Sequence, residues 1–217
     1  MGITHKNIAA IREDYSKYTL DEHDVLDHPI AQFQRWFDEA LHAEVTEPNA
    51  MVLSTISDDG YPSSRVVLLK DIRSSGFSFF TNYQSKKGQS MLVRKQVSLL
   101  FFWPELQRQV RIEGWVEKLP SEDSDEYFAS RPRGSRIGAI ASPQSKVIDD
   151  RAVLEQRVSE VSATYQNQED FPRPAFWGGY QVSPMRVEFW QGRSSRLHDR
   201  IEYVFQDGNW LRQRLAP

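Results

Sequence analysis

The sequence contains no cysteine. That excludes disulfides, thiolate nucleophiles, and zinc or iron–sulfur centres held by thiolates. Redox chemistry, if present, must therefore be carried by a bound organic cofactor. A dominant charge is missing too: 27 Lys and Arg stand against 30 Asp and Glu, for a formal net charge of −3. Such a balance gives no bulk attraction to nucleic acid or to an anionic membrane. An anion would have to be gripped by local clusters of arginine and lysine. No apolar run is long enough to span a bilayer. The opening MGITHKNIAAIREDYSKY carries charges throughout and lacks the apolar centre of a secretory signal. Its first six residues depart from a myristoylation start at Lys6. The expected location is the cytoplasm.

Motifs of several chemistries are also absent. His5, His23, His28, His42 and His198 are scattered, with no H-E-x-x-H, so no metal site is expected. There is no G-x-G-x-x-G, no G-x-x-x-x-G-K-[ST] and no G-x-S-x-G. Ser195, His198 and Asp199 have the residue types of a hydrolytic triad. In an extended strand, however, Asp199 would point away from His198.

What is present reads as a globular chain of 217 residues, 39% hydrophobic and 26% charged. A short amphipathic helix is expected over 5–18, with Ile8, Ile11 and Tyr15 on one stripe. A stronger helix follows over 29–45, with Ile30, Phe33, Phe37, Ala40 and Leu41 at helical spacing. The period then changes. AMVLSTIS, SRVVLLK, GFSFFTN, QVSLLFFW and RQVRIEGWVEKL read as strands, and SKKGQSMLVRK as a short helix between them. SEDSDEYFAS opens a helix that should stop near Arg131, before Pro132. RIGAIAS suggests a helical turn, and 149–166 a charged helix. EDFPRPAFWGGYQVSP reads as a Pro/Gly-rich loop. MRVEFWQG and the hairpin IEYVFQDGNWLRQRL complete the strands. The expected class is mainly β with peripheral α-helices, a β-barrel with helical additions.

Four cationic stretches bear on function. In RVVLLK, Arg65 and Lys70 bracket four aliphatics. If fully extended they would lie roughly 16 Å apart and face opposite sides. Ser85, Lys86 and Lys87 stand where a strand gives way to a helix, a place that favours an anion. Tyr127 and Arg131 are i, i+4, with Ser135 beyond the turn. In SSRLHDR, an extended chain would put Arg196, His198 and Arg200 on one face. Phe79, Phe80, Trp103, Trp177 and Trp190 are candidates to border a flat ring. Each cluster also has a plain reading as solvated or core side chains. Together they suggest a protein that binds a phosphorylated aromatic ligand.

RVVLLK, FFTNYQSKK, LQRQV, YFASRPRGSRIGA, PQS, FWGGY, VEFWQG, RLHDR and the final RLAP occur in an order and spacing that resembles the pyridoxine/pyridoxamine 5′-phosphate oxidase family, from about Ile11 to Pro217. The resemblance implies a single FMN-binding split β-barrel domain over 1–217. It divides into an N-terminal extension (1–28), a helix and main barrel strands (29–120), a helical insertion (121–170), and a C-terminal loop and strands (171–217). It further implies a homodimer with FMN at the interface. The implied reaction oxidises pyridoxamine or pyridoxine 5′-phosphate to pyridoxal 5′-phosphate. Hydride passes from C4′ to flavin N5, and oxygen is reduced to hydrogen peroxide.

Carried over by position, FMN contacts fall on Arg65, Val66, Val67, Leu68, Leu69, Lys70, Phe80, Thr81, Lys86, Lys87, Gln109, Gln144, Ser145, Trp190 and Arg200. Substrate contacts fall on Lys70, Tyr127, Arg131, Ser135, Arg196, Leu197 and His198, and on the N-terminal Arg12, Glu13, Asp14 and Tyr15. Arg196 and His198 are the implied catalytic pair, with His198 assisting proton removal. Lys86 stands where the family often has Arg, keeping the charge but losing bidentate geometry. Phe80 replaces a frequent Tyr, and Asp14 a usual Glu. The resemblance leaves two other readings open: a flavin oxidoreductase with a different substrate, and a non-catalytic carrier of flavin or pyridoxal phosphate.

Overall fold

The computed structural model describes residue 8 and residues 10–217. These group into two compact units, one of residues up to Pro48 with Leu100–Arg111 and Arg186–Pro217, the other of Asn49–Leu99 with Ile112–Met185.

In the first unit, helix α1 (Pro29–His42) begins with His28 as its cap, the ring Nδ1 accepting from the Ile30 N–H. Pro29 fits the first turn because that position needs no N–H donor. The buried stripe is Ile30, Phe33, Trp36 and Ala40. Trp36 takes the place expected for Leu41, which is exposed. Phe33 meets Phe101 edge-on at 4.9 Å, and Trp36 meets Phe189 at 5.2 Å. Two strands, β8 (Asp199–Gln206) and β9 (Asn209–Arg214), form the expected hairpin. Its two loop residues, Asp207 and Gly208, both have positive φ, as a type I′ turn requires. β8 also pairs with residues Arg186–Gln191. The helix expected over 5–18 lies partly outside the described residues. Within them, residues 11–18 form no helix.

The second unit is built on β1 (Ala50–Ile56), β2 (Pro62–Leu68), the short β3 (Asp71–Arg73) and β4 (Gly76–Asn82). Longer strands β5 (Gln96–Trp103), β6 (Arg108–Lys118) and β7 (Trp177–Gln191) join them, and the unit boundaries fall inside these three. The order is β2-β1-β5-β6-β7-β4-β3, so β2 stands at an edge. Alternating burial along β1 and β5 puts Met51, Leu53, Val97 and Leu99 in the core. Helices α2 (Lys86–Val93), α3 (Ser121–Ser130), α4 (Arg133–Ala141) and α5 (Arg151–Thr164) complete the unit. α3 stops where Pro132 requires, with Arg131 already extended. RIGAIAS is the body of a full helix, α4, rather than one turn. Among the described residues no helix is long and apolar enough to cross a membrane.

One expectation fails instructively. The stretch read as a Pro/Gly loop turns into strand at Trp177, and Gly178 and Gly179 pair within it. The glycines serve close packing: a Cβ on Gly178 would lie 2.1 Å from the Tyr83 hydroxyl. Gly88, in the first turn of α2, is tighter in kind, because its Cβ would lie 2.2 Å from a backbone oxygen, that of Tyr83. Backbone cannot swing aside as a side chain can. Gly88→Ala should therefore cost about 1–3 kcal/mol or more. Chemical denaturation would read that cost directly, and the melting midpoint should fall by roughly 2–4 °C per kcal/mol.

Candidate functional site

A cleft of ≈ 620 Å³ opens in the second unit beside the edge strand β2. Four cations line it, Arg65, Lys70, Lys87 and Arg131, and among the described residues no carboxylate does. Arg65 and Lys70 were expected on opposite sides of one strand. Instead β2 ends at Leu68, and the next two N–H groups turn to Asn49 and Ser78 carbonyls. The break in alternation brings both cations to one cleft.

Each cation is held differently. Arg65 donates to the Leu53 carbonyl (3.1 Å), the Thr55 hydroxyl (2.9 Å) and the Ser63 hydroxyl (2.7 Å). Lys87 Nζ donates to Thr81 Oγ1 and Gln144 Oε1, both at 3.2 Å. Burial lowers the pKa of Arg65, and burial with the neighbouring Arg65 charge lowers that of Lys87. Arg131 lies 4.6 Å over the Trp177 ring. Its Nη1 is buried with no hydrogen-bond partner among the described residues, and burial lowers its pKa as well. A buried, unpaired guanidinium N–H is costly. Three partly desolvated cations without an acid are the complement of an anion.

The cleft also has a flat wall. Phe80 stacks on Tyr127 at 3.8 Å, and Tyr127 and Phe80 lie nearly parallel to Trp177. Tyr127 on α3, Arg131 at its end and Ser135 in the first turn of α4 all line the cleft. Lys87 and the Tyr127–Arg131–Ser135 group thus line one cavity. Val66, Val67, Leu68, Thr81 and Gln144 line it too. Leu69 is buried. Lys86 and Ser145 border a different depression of ≈ 790 Å³, together with Asp58 and Asp59. Phe79 and Trp103 are core residues.

The remaining named residues belong to the first unit. Arg12, Glu13, Asp14 and Tyr15 share a cavity of ≈ 810 Å³ with Arg193, Arg196 and His198. Trp190 lies 4.5 Å from the His198 ring, and Tyr15 meets both. The stretch 194–198 is not extended, and strand begins only at Asp199, which overturns the one-face reading of Arg196, His198 and Arg200. Ser194–Arg196 form a 3-10 turn, with Ser195 and Arg196 at φ 58° and 60°. Left-handed backbone at non-glycine residues costs roughly 1–3 kcal/mol each and marks functional loops. Leu197 is exposed, Gln109 half-buried. Arg200 is engaged by Glu188 through two contacts (2.8 and 3.1 Å) and by the Ala216 carbonyl. Asp199 pairs with Arg193 and Arg214, not with His198, so there is no triad. Sequence reading missed Arg193, whose backbone N–H meets the His198 ring; nothing in its local pattern marks it.

A cationic cleft with an aromatic wall has the charge and the flat surface that suit a phosphorylated ring ligand. The sequence comparisons narrow this class. Residues 37–165 match the model of the pyridoxamine 5′-phosphate oxidase family, and residues 177–217 that of the pyridoxine 5′-phosphate oxidase C-terminal dimerisation region. The chain is 55% identical to the pyridoxine/pyridoxamine 5′-phosphate oxidase of Herminiimonas arsenicoxydans, covering 97% of this chain and 100% of the relative. It is 52% identical to that of Salinibacter ruber, over 97% and 99%. Among solved structures it resembles PhzG from Burkholderia lata 383 in complex with tetrahydrophenazine-1-carboxylic acid. That match has a TM-score of 0.87 and 31% identity, over 94% of this chain and 100% of that one. An FMN-binding relative from Nostoc punctiforme shares the fold, with a TM-score of 0.65 at 15% identity over 85% and 97% of the two chains. The chain belongs to the pyridoxamine 5′-phosphate oxidase family, and its mainly β class with peripheral helices is the one its sequence implied.

Proposed function

We propose that this protein is a pyridoxine/pyridoxamine 5′-phosphate oxidase that uses FMN and oxygen. Pyridoxamine 5′-phosphate, oxygen and water would give pyridoxal 5′-phosphate, ammonia and hydrogen peroxide; the alcohol substrate needs no water and releases no ammonia. The single observation that carries this reading is the cleft beside β2, with its four cations, its lack of carboxylates and the unpaired Arg131 Nη1. An FMN phosphate fits these residues by charge and by donor chemistry. Arg65 and Lys87, with Thr81 and Gln144, are the groups to hold it. Tyr127, Arg131 and Ser135 are the groups for the substrate phosphate. When bound, the flavin supplies a two-electron acceptor that oxygen regenerates.

The protein's own task is placement, since hydride transfer depends on aligned reacting atoms. Arg196 and His198 orient the ring and its C4′ substituent. The match of residues 177–217 to a dimerisation region supports a homodimer, and FMN at its interface is part of the same proposal. We place the enzyme in the cytoplasm, with neither nucleic acid nor membrane as partner. The purified protein should be yellow, and anaerobic pyridoxamine 5′-phosphate should bleach its flavin absorbance. Readmitted oxygen should restore the colour and yield peroxide. A flavin spectrum that persists unbleached would defeat the oxidase reading and favour a carrier.

A further inference from the structure

We propose that Asp199 is a positioning residue for His198, and that the ring it positions is a hydrogen-bond donor to the substrate rather than a base. The inference rests on the oxidase reading and sharpens the role of one residue within it. His198 Nδ1 accepts from the Arg193 backbone N–H at 3.1 Å. A backbone amide can only donate, so Nδ1 keeps its lone pair there. The proton of the neutral ring is then on Nε2. An Nε2–H can donate to a substrate lone pair but cannot take a proton from the amine or alcohol.

Asp199 holds this arrangement together. One oxygen accepts from Arg193 Nη1 (2.8 Å) and from the Leu20 N–H (3.1 Å). The other accepts from Arg214 Nη1 (3.0 Å). A single carboxylate thus ties the N-terminal segment and β9 to Arg193, the residue that fixes the ring. On the other side, Ser194 Oγ donates to Asp14 and to the Tyr15 carbonyl. The left-handed Ser195 and Arg196 are held between these two anchors.

The charged groups around His198 are Arg12, Glu13 and Asp14 from the N-terminal segment, and Arg193, Arg196 and Asp199 from its own loop. Burial and then Arg196 lower the imidazole pKa, while Asp199 raises it. Removing the Asp199 charge should therefore shift the titration to lower pH.

The test is long-range proton–nitrogen NMR of the FMN-loaded, 15N-histidine protein above the titration, with His198 assigned through its loss in His198→Asn. The native ring should show bare Nδ1 and protonated Nε2. Asp199→Asn, which keeps the side-chain shape, should admit the other tautomer and titrate at lower pH. Its kcat for pyridoxamine 5′-phosphate should fall on the order of 100-fold, as for a misplaced group. A native Nδ1–H would overturn the donor role. A variant with unchanged tautomer and titration would overturn the positioning role, even if its stability fell. Should Asp199→Asn not fold, Arg193→Met removes only the Arg193 end of the clamp and is read by the tautomer alone, an unchanged tautomer again overturning the positioning role. Absence of any turnover in the native protein would count against the oxidase reading alone, because the tautomer is read without turnover.

Discussion

Arg131→Met is expected to raise the KM for pyridoxamine 5′-phosphate by a factor between about 30 and several thousand. The range comes from the roughly 2–5 kcal/mol lost when one partner of a buried, hydrogen-bonded charge pair is truncated, at about 1.4 kcal/mol per tenfold. Arg131 belongs at the upper end of ordinary phosphate ligands for two reasons. Its Nη1 is buried without a partner among the described residues, so a phosphate oxygen would satisfy an existing deficit. Its plane is already fixed over Trp177 at 4.6 Å, so little freedom remains to be lost on binding. Methionine keeps an apolar stem over the indole while removing the donors. Bound FMN should be retained, which a flavin spectrum of the variant checks. The decisive comparison is with unphosphorylated pyridoxamine. If Arg131 grips the substrate phosphate, its loss should hardly change kcat/KM for that amine. Equal losses on both substrates would move Arg131 from phosphate binding to support of the aromatic wall.

The sequence made the periodic elements legible and the non-periodic ones illegible. α1 was readable because Ile30, Phe33 and Ala40 recur at 3.6-residue spacing, although Trp36, not Leu41, completes the buried stripe. The β8–β9 hairpin was readable from Asp207-Gly208. β7 was misread at its start, since glycine there serves close packing against Tyr83, a distant neighbour that no local rule reveals. The same holds for the site. Its residue types were readable, but their grouping depended on where strands end. β2 stops at Leu68, and Lys70 then lines the same cleft as Arg65. The 3-10 turn at Ser194–Arg196 replaced an assumed strand because Ser194 and Asp199 are anchored by residues roughly 180 positions away in the chain. Such long-range hydrogen bonds override local preference and leave no trace in a window of neighbouring residues.

Lys87→Met is expected to weaken FMN binding by about 10- to 150-fold while leaving the FMN-free protein as stable as before, or more so. The first figure follows from the roughly 1.5–3 kcal/mol of a hydrogen bond to a charged group. The second part follows from the direction of the lysine's titration. Burial first, and then the Arg65 charge, lower its pKa in the folded chain. A cation with a lowered folded pKa opposes folding while protonated. The unfolded chain then binds more protons between the folded and unfolded pKa, so stability rises with pH across that window and is at its lowest below it. At neutral pH the charge is thus a burden that only an anionic ligand offsets. Removing it relieves the burden and the ligand's hold together. Thermal melts with and without FMN separate the effects: the FMN-free midpoint should hold or rise, and the gain on adding FMN should shrink. The contacts of Lys87 with Thr81 and Gln144 pull the other way. If they dominate, the FMN-free variant will melt lower and bind FMN as tightly as before. That result would make Lys87 a brace between β4 and residue 144 instead of a phosphate ligand.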